Sequence, residues 1–282
     1  MRPVEAFLLA DDLRVRRLGF GAMHVTGPGV WGEPRDAAGA VALLRRVVEL
    51  GINLIDTADA YGPEISERLI ADALHPYPLG LVIATKGGYT RPRRQWVPDG
   101  SPEHLKRSCE ASLKRLRLDR IDLYQLHTPD PKVPFEESIA ALAELLKQGK
   151  IRHIGVSNVT VEQLKLARTV APICSVQNHY NLRSRASEPV LKYCEQHGLG
   201  FIPYFPLAFG NLSRNNRVLN EIATRHGATV SQIALAWLLK RSPVMLPIPG
   251  TSNVAHLEEN SEASTIDLED SDFEKLEAWF HG

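Results

Sequence analysis

The stretch Gly51-Ile-Asn-Leu-Ile-Asp-Thr-Ala-Asp-Ala-Tyr-Gly62 places a short apolar run directly before a polar loop. Gly51 follows a helical pattern over residues 36–50, at the position where a left-handed residue ends a helix. Residues 53–55 form a short apolar run, as in a strand buried on both faces, and Asp56 comes at its end. The stretch therefore predicts a helix, a buried strand and a polar loop in succession, which is one step of an α/β fold.

The same alternation recurs along the chain. Short apolar runs predict strands at residues 18–23, 53–55, 81–84, 123–126, 153–156, 175–177, 200–204 and 244–247. Amphipathic patterns predict helices at residues 36–50, 65–74, 102–116, 135–148, 161–168, 186–197, 219–226, 231–240 and 255–261. Ser101-Pro-Glu103, and Thr160 together with Gln163, are N-terminal capping signals for two of these helices.

Strands separated by helices run parallel, because a crossover helix brings the chain back in the same direction. Eight such units predict closure into a (β/α)8 TIM barrel, an α/β fold, with residues 1–282 as a single domain. Residues 7–10 and 13–16 predict an N-terminal β-hairpin that plugs the bottom of the barrel. Residues 272–280 predict a C-terminal helix.

An open, doubly wound sheet is the alternative architecture. It would carry a glycine-rich dinucleotide fingerprint after its first strand. Here Gly19-Phe-Gly21 continues as Ala22-Met-His24, which lacks the third glycine at the helix start. The barrel is therefore the favoured fold.

Composition narrows the class of partner. Lys plus Arg and Asp plus Glu are 33 each, so the formal net charge is zero and neither nucleic acid nor an anionic membrane is expected as a partner.

Cys109, Cys174 and Cys194 lack metal-ligand spacing, so we expect reduced thiols and no metal site. The apolar runs 6–10 and 233–239 are too short for a signal peptide and a membrane span. We expect a cytoplasmic, monomeric protein.

Polar side chains stand where the predicted strands end, which is where a barrel of this type carries its chemistry. Asp56, Lys86 and His127 follow three strands, and Tyr61 lies in the loop after Asp56. Reduction of a carbonyl needs a proton donor, and a free tyrosine, with a pKa of about 10, is a poor one unless tuned. We expect a buried Lys86 to lower the pKa of Tyr61, and Asp56 to keep Lys86 charged. His127 would then orient the substrate oxygen.

Six segments in this order resemble the aldo-keto reductase family over essentially the whole chain. They are residues 51–62, quoted above, and Ala84-Thr-Lys-Gly87, Asp122-Leu-Tyr-Gln-Leu-His127, Ile154-Gly-Val-Ser-Asn158, Val176-Gln-Asn178 and Ile248-Pro-Gly-Thr-Ser252. The resemblance implies a barrel that binds NADPH in extended form and transfers hydride to an aldehyde or ketone. It also implies that Asp56, Tyr61, Lys86 and His127 are the catalytic tetrad, with Tyr61 as the proton donor.

The resemblance extends to the cofactor. Ser157, Asn158 and Gln177 would bond the nicotinamide carboxamide, and Tyr204 would stack on its ring. Glu259 and Asn260 would meet the adenine. The full set of expected cofactor contacts is Gly21, Ala22, Met23, Asp56, Ser157, Asn158, Gln177, Tyr204, Leu207, Gly250, Thr251, Ser252, His256, Glu259 and Asn260. The resemblance implies NADPH as the cofactor. The positions where relatives carry cations around the 2′-phosphate read Gly250, Ser252 and His256 here, so we expect NADH as a second cofactor.

Substrate identity is the least constrained property. Expected pocket walls are His24, Trp31, Tyr89, Trp96 and Phe209, and the arginine cluster at 91–94 is interpreted as a solvated loop. Little chain follows the last helix, so we expect an open, promiscuous pocket. The segments 27–32 and 203–206 are similar to a bacterial branch that includes pyridoxal reductases, which makes a pyridoxal-like aldehyde a candidate substrate. The alternative function is a regulatory or sensor barrel with slow turnover, similar to potassium-channel beta subunits.

Overall fold

Parallel strands form the centre of the structure. The computed structural model describes residues 6–208 and 217–281. Its strands are β1 (Ala6–Leu9), β2 (Leu13–Arg16), β3 (Phe20–Gly21), β4 (Leu54–Asp56), β5 (Val82–Gly87), β6 (Tyr89–Thr90), β7 (Val97–Pro98), β8 (Ile121–Leu126), β9 (Ile151–Ser157), β10 (Ile173–His179) and β11 (Gly200–Tyr204). Seven of them make one sheet in the order β11-β10-β9-β8-β5-β4-β3, with every neighbouring pair parallel.

The segment over residues 244–249 closes this sheet into a barrel. On one side Leu246 donates its backbone N–H to Phe201 of β11 at 2.8 Å. On the other side Gly19 and Gly21 donate to the carbonyls of Pro247 and Pro249, at 2.9 and 3.2 Å. The prediction of a strand at 244–247 is therefore right in place, although only an isolated bridge forms there, between Phe201 and Met245. Because proline has no backbone N–H, Pro247 and Pro249 cannot extend the ladder.

Helices surround the strands. They are α1 (Ala37–Glu49), α2 (Ile65–Leu74), α3 (Pro102–Leu116), α4 (Phe135–Lys147), α5 (Val161–Val170), α6 (Glu188–His197), α7 (Arg217–Arg225), α8 (Val230–Arg241), α9 (Val254–Glu262) and α10 (Asp270–His281). The predicted capping signals act as expected: the Ser101 hydroxyl accepts from the N–H of His104, and Thr160 forms a capping box with Gln163. Arg46 of α1 pairs with Glu258 of α9 at 2.8 Å, which joins the last barrel helix to the first. The predicted (β/α)8 barrel is confirmed.

The N-terminal hairpin packs against the inside of the barrel. β1 and β2 pair antiparallel, and Leu9, Leu13 and Val15 join a cluster with the inward residues of the barrel strands. Asp12 in the hairpin turn accepts from Arg152 and His153, which lie at the start of β9. The hairpin therefore closes the end opposite to the strand C-termini, as predicted, and leaves the other end open.

Candidate active site

Three neighbouring strands carry the predicted catalytic side chains to one edge of the barrel. Asp56 is the last residue of β4, Lys86 lies near the end of β5, and His127 follows β8. The parallel register pairs Asp56 with Ala84 and Lys86 with Gln125, so the three strands end at nearly the same level. Tyr61 reaches this level from the loop between β4 and α2. Four residues from three separate segments of the chain therefore lie together.

Lys86 is the centre of the group, and its side chain is fully buried, with 0% exposed. Its ammonium donates to Asp56 Oδ1 at 2.5 Å and to the carbonyl oxygen of Thr57 at 2.8 Å. It also donates to the hydroxyl oxygen of Tyr61, at 3.4 Å. A buried ammonium needs such partners, because it has lost its hydration. The charge of Lys86 is thus placed between a carboxylate and the predicted proton donor.

The second oxygen of Asp56 is held by two amides. Gln125 Nε2 and Gln177 Nε2 donate to Asp56 Oδ2 at 3.0 and 2.8 Å. Sequence reasoning assigned Gln177 to the nicotinamide carboxamide and did not single out Gln125. The sequence signal for Gln125 is its place two residues before His127, between Tyr124 and Leu126. Both oxygens of the carboxylate are therefore satisfied inside the protein.

Burial and charge set the protonation states of Lys86 and Tyr61. Burial disfavours the ammonium, but the adjacent Asp56 and Tyr61 outweigh it and raise the pKa of Lys86 above its ordinary value. Burial also raises the pKa of Tyr61 above its ordinary value, although the charge of Lys86 acts to lower it. Lys86 thus lowers the pKa of Tyr61 as expected, but the net pKa is raised, because burial of the phenol is the larger effect. Tyr61 keeps its proton at neutral pH.

His127 faces Tyr61 across this group. The two ring centroids are 5.8 Å apart in an edge-to-face arrangement, and 8% of His127 is exposed. Burial, together with the charges of Lys86 and Arg91, holds the pKa of His127 well below its ordinary value, so the imidazole is neutral. Nδ1 is buried without a hydrogen-bond partner among the described residues. The neutral ring carries one N–H group, which can donate to an oxygen placed beside Tyr61.

Aromatic side chains from the loop after β5 cover His127 and Tyr61. Tyr89 packs its ring 4.8 Å from the His127 ring, and Trp96 lies 6.0 Å from His127 and 6.2 Å from Tyr61. The arginines at 91–94 were expected in a solvated loop, but Arg91 is buried and has its guanidinium 3.7 Å above the Trp96 ring. That expectation is wrong for Arg91, because backbone carbonyls and an indole face replace its water. Arg93 and Arg94 are exposed, as expected.

A cavity of about 450 Å³ leads from Tyr61 across the mouth of the barrel. Its walls are Gly21, Met23, His24, Asp56, Tyr61, Gln177, Tyr204, Phe205, Pro206, Leu207, Ser231, Ile248, Pro249, Gly250, Thr251, Ser252, His256, Glu259 and Asn260. Most of the residues predicted to contact the cofactor are thus brought together on one surface. Ala22, Ser157 and Asn158 lie outside this lining, and Ala22 and Ser157 are fully buried.

The predicted substrate walls are divided. His24 lines the cavity, whereas Tyr89 and Trp96 lie around His127 and Tyr61. Trp31 lies in the loop between β3 and α1, where its indole ring is 5.5 Å from the guanidinium of Arg91. Phe209 falls outside the described residues. Sequence reasoning missed Phe205, Pro206, Ser231, Ile248 and Pro249 as lining residues, and Ser231 could not be placed without knowing that α8 borders the cavity.

Tyr204 lines the cavity beside the predicted catalytic group, and Asn158 holds it there from behind. Asn158 has a positive φ of 59°, which turns its side chain back, so that its Nδ2 donates to the backbone carbonyl of His127 at 3.1 Å. The Tyr204 hydroxyl donates to Asn158 Oδ1 at 2.8 Å, and the ring stacks on His179 with 5.3 Å between centroids. A flat aromatic ring is thereby fixed at the edge of the cavity, in a position that suits stacking.

The far end of the cavity is formed by the start of α9. Asn253 is its N-cap, and its side-chain oxygen accepts from the N–H groups of Ala255 and His256 at 2.8 and 3.3 Å. Glu259 accepts from the Thr229 hydroxyl at 2.7 Å, and Asn260 is buried beside it. Among the described residues, no lysine or arginine lines the cavity. An anionic ligand at this end would therefore depend on hydroxyls, backbone N–H groups and histidine.

Comparison with known proteins gives a consistent picture. The family model described as the aldo/keto reductase family matches residues 17–279. An uncharacterized oxidoreductase of Schizosaccharomyces pombe is 51% identical over 267 residues, covering 94% of this chain and 87% of that protein. The pyridoxine 4-dehydrogenase of Escherichia coli is 44% identical over 261 residues, covering 90% of this chain and 91% of that protein.

Solved structures agree. A thermostable aldo-keto reductase crystallised with the inhibitor epalrestat is similar, with a TM-score of 0.87 and 35% identity; the match covers 97% of this chain and 99% of the other. An aldo-keto reductase from Klebsiella pneumoniae in complex with NADPH is similar, with a TM-score of 0.84 and 28% identity, covering 98% of this chain and 95% of the other.

Proposed function

The chain belongs to the aldo/keto reductase family, and from this premise we propose that Asp56, Tyr61, Lys86 and His127 are the catalytic residues of an NADPH-dependent carbonyl reductase. The observation that carries the proposal is the position of Lys86. Its buried ammonium bonds to Asp56 and to the Tyr61 hydroxyl, at one end of a cavity lined by the residues predicted for the cofactor. The charge of Lys86, the predicted proton donor Tyr61 and the cavity predicted for the cofactor are thus in contact at one place.

Each side chain has one task in this reaction. Tyr61 gives its phenolic proton to the carbonyl oxygen as negative charge develops there. Lys86, 3.4 Å from that phenol oxygen, stabilises the phenolate that remains. Asp56 keeps Lys86 charged in a buried place, and neutral His127 can offer an N–H to the same substrate oxygen. In the direction of alcohol oxidation the same groups act in reverse.

The cavity suits a dinucleotide that lies along the mouth of the barrel. When bound, NADPH supplies the hydride that reduces the carbonyl carbon. Tyr204 offers a ring face beside the tetrad, the Gln177 amide is at the same end, and the N-terminus of α9 offers its dipole at the other end. The absence of a lysine or arginine from the described lining supports use of NADH as a second cofactor.

A flat, pyridoxal-like aldehyde is the substrate class that we propose. Two features support it: the rings of Tyr89 and Trp96 beside the predicted proton donor, and the likeness to a pyridoxine 4-dehydrogenase. Aromatic walls of this kind bind planar rings by stacking and edge contacts. We further propose that the protein acts as a monomer in the cytoplasm. Its four catalytic candidates come from one chain, and its three cysteines are buried free thiols, which suits a reducing compartment.

The test is a steady-state assay of NADPH oxidation with three classes of substrate: pyridoxal, an unsubstituted aromatic aldehyde and an aliphatic ketone. We expect turnover with both aldehydes and the highest kcat/KM with pyridoxal. Comparable kcat/KM values across all three would contradict the substrate class and would favour a promiscuous reductase. If no carbonyl compound is turned over while NADPH still binds, the chain is a cofactor-binding sensor and the reductase proposal is wrong.

A further inference from the structure

Arg91 is a buried cation that has no carboxylate partner among residues 6–208 and 217–281. Only 8% of the residue is exposed. In the part of the chain that the structure describes, its hydrogen bonds go to backbone carbonyls and no acidic side chain pairs with it. Burial of a guanidinium is unfavourable unless its N–H groups are used, so a residue of this kind needs a structural or functional reason. The reason lies in which carbonyls it binds.

The carbonyls belong to three loops at the mouth of the barrel. Arg91 Nη1 donates to Ala60, directly before Tyr61, at 2.9 Å, and to Val30 in the loop after β3 at 3.2 Å. Nη2 donates to Arg94 in its own loop at 3.4 Å. The Val30 oxygen also accepts from the N–H of Gly62. Arg91 therefore ties the loop that carries Tyr61 to the loops on both sides of it.

The flat face of the same guanidinium supports Trp96. It lies 3.7 Å above the indole ring, at the distance of a cation–π contact. Trp96 is 40% exposed and has edge contacts with both Tyr61 and His127. A tryptophan this exposed would have rotamer freedom on its own. Arg91 holds it against the rings of Tyr61 and His127, the two groups that a substrate carbonyl would have to reach.

We propose that Arg91 is a positioning residue for the substrate: it fixes Trp96 and the Tyr61 loop as one wall, against which the aldehyde is held for reduction. This inference rests on the proposed reductase function. Arg91 does not line the cofactor cavity. Substituting Arg91 should therefore raise the KM for the aldehyde and leave the Kd for NADPH unchanged.

The experiment compares Arg91→Met, Arg91→Lys and Trp96→Leu with wild type, and uses Arg93→Met as the matched control because Arg93 is exposed in the same loop. We measure kcat and KM for the aldehyde, and Kd for NADPH by quenching of protein fluorescence. Arg91→Met should raise KM about tenfold, with Kd for NADPH within about twofold of wild type. Arg91→Lys keeps the charge but loses the planar stack, so it should recover part of the effect. Arg93→Met should behave as wild type.

The double variant Arg91→Met/Trp96→Leu separates positioning from general structure. Because Arg91 acts partly through Trp96, the rise in KM of the double variant should be clearly smaller than the product of the two single effects. Two results would overturn the inference. One is a change in KM of the double variant equal to the product of the two single changes, and the other is a KM of Arg91→Met within about twofold of wild type. If Arg91→Met does not fold, the same cycle is run with Arg91→Lys. Absence of wild-type turnover would overturn the proposed function, whereas normal wild-type turnover with an unaffected Arg91→Met would overturn this inference alone.

Discussion

Lys86 and Asp56 form a buried ion pair, so substitutions of the two residues should have strongly non-additive effects on the free energy of unfolding. The two charged atoms are 2.5 Å apart, and the side chains are 0% and 3% exposed. Lys86→Met leaves the Asp56 carboxylate buried with only the two amides of Gln125 and Gln177. Asp56→Asn leaves the Lys86 ammonium buried with neutral hydrogen-bond partners and no carboxylate. Removing one partner of such a pair costs about 3–5 kcal/mol, because the other charge stays buried.

The double variant Lys86→Met/Asp56→Asn should be less destabilised than the sum of the two single variants, because neither charge remains. We expect a coupling energy of about 2–3 kcal/mol. The measurement is urea-induced unfolding followed by far-UV circular dichroism, with free energies extrapolated to water. The matched control is the pair of Lys150 and Glu110, which is also 2.5 Å apart but is 33% and 51% exposed. Its coupling should be at most about 1 kcal/mol.

If the losses for Lys86→Met and Asp56→Asn add to within about 0.5 kcal/mol, the two groups are not coupled and the reasoning is refuted. Equal coupling in the buried and the exposed pair would also contradict it, since burial is the reason for the difference.

Three further predictions concern the reaction. Because the pKa of His127 lies well below its ordinary value, kcat/KM should stay level as the pH falls from 8 to about 6; an acid limb centred near 6.5 in the pH–rate profile would contradict a neutral His127. Gln125→Leu removes one donor from Asp56, so kcat should fall about tenfold or more while Kd for NADPH is unchanged; an unaltered kcat would show that the amide is dispensable. Ser252→Arg adds a cation to the cavity wall, so the KM for NADPH should fall about tenfold and that for NADH should not change; an equal change for both cofactors would mean that the 2′-phosphate does not lie there.

The barrel could be predicted from the sequence because its signals are local. An apolar run of a few residues, a glycine after a helix and a capping residue before the next helix can each be read without knowing the rest of the chain. The predicted strands at 175–177 and 200–204 correspond to β10 (Ile173–His179) and β11 (Gly200–Tyr204). Two predicted strands differ. Of 18–23, only Phe20–Gly21 is a strand, and a short 3-10 helix follows at Ala22–Val25. At 244–249, prolines limit the ladder to scattered bonds.

What could not be predicted depends on contacts between distant residues. Gln125 is buried against Asp56, 69 positions away, and nothing next to it in sequence indicates that partner. Arg91 stands in a run of arginines that is typical of a solvated loop, but carbonyls 31 and 61 positions away replace its water. The direction of the Tyr61 pKa shift depends on the balance between burial and the Lys86 charge, and only the folded structure gives that balance.

The proton donor is tested most directly by comparing Tyr61→Phe with wild type in NADPH-dependent reduction of pyridoxal. The substitution removes one oxygen atom from a side chain that is 7% exposed, and it leaves the walls of the cavity otherwise intact. We predict that kcat falls by about 10²–10⁴-fold, while Kd for NADPH, measured by fluorescence quenching, remains that of wild type. A Tyr61→Phe variant that retains a kcat close to wild type would contradict the account.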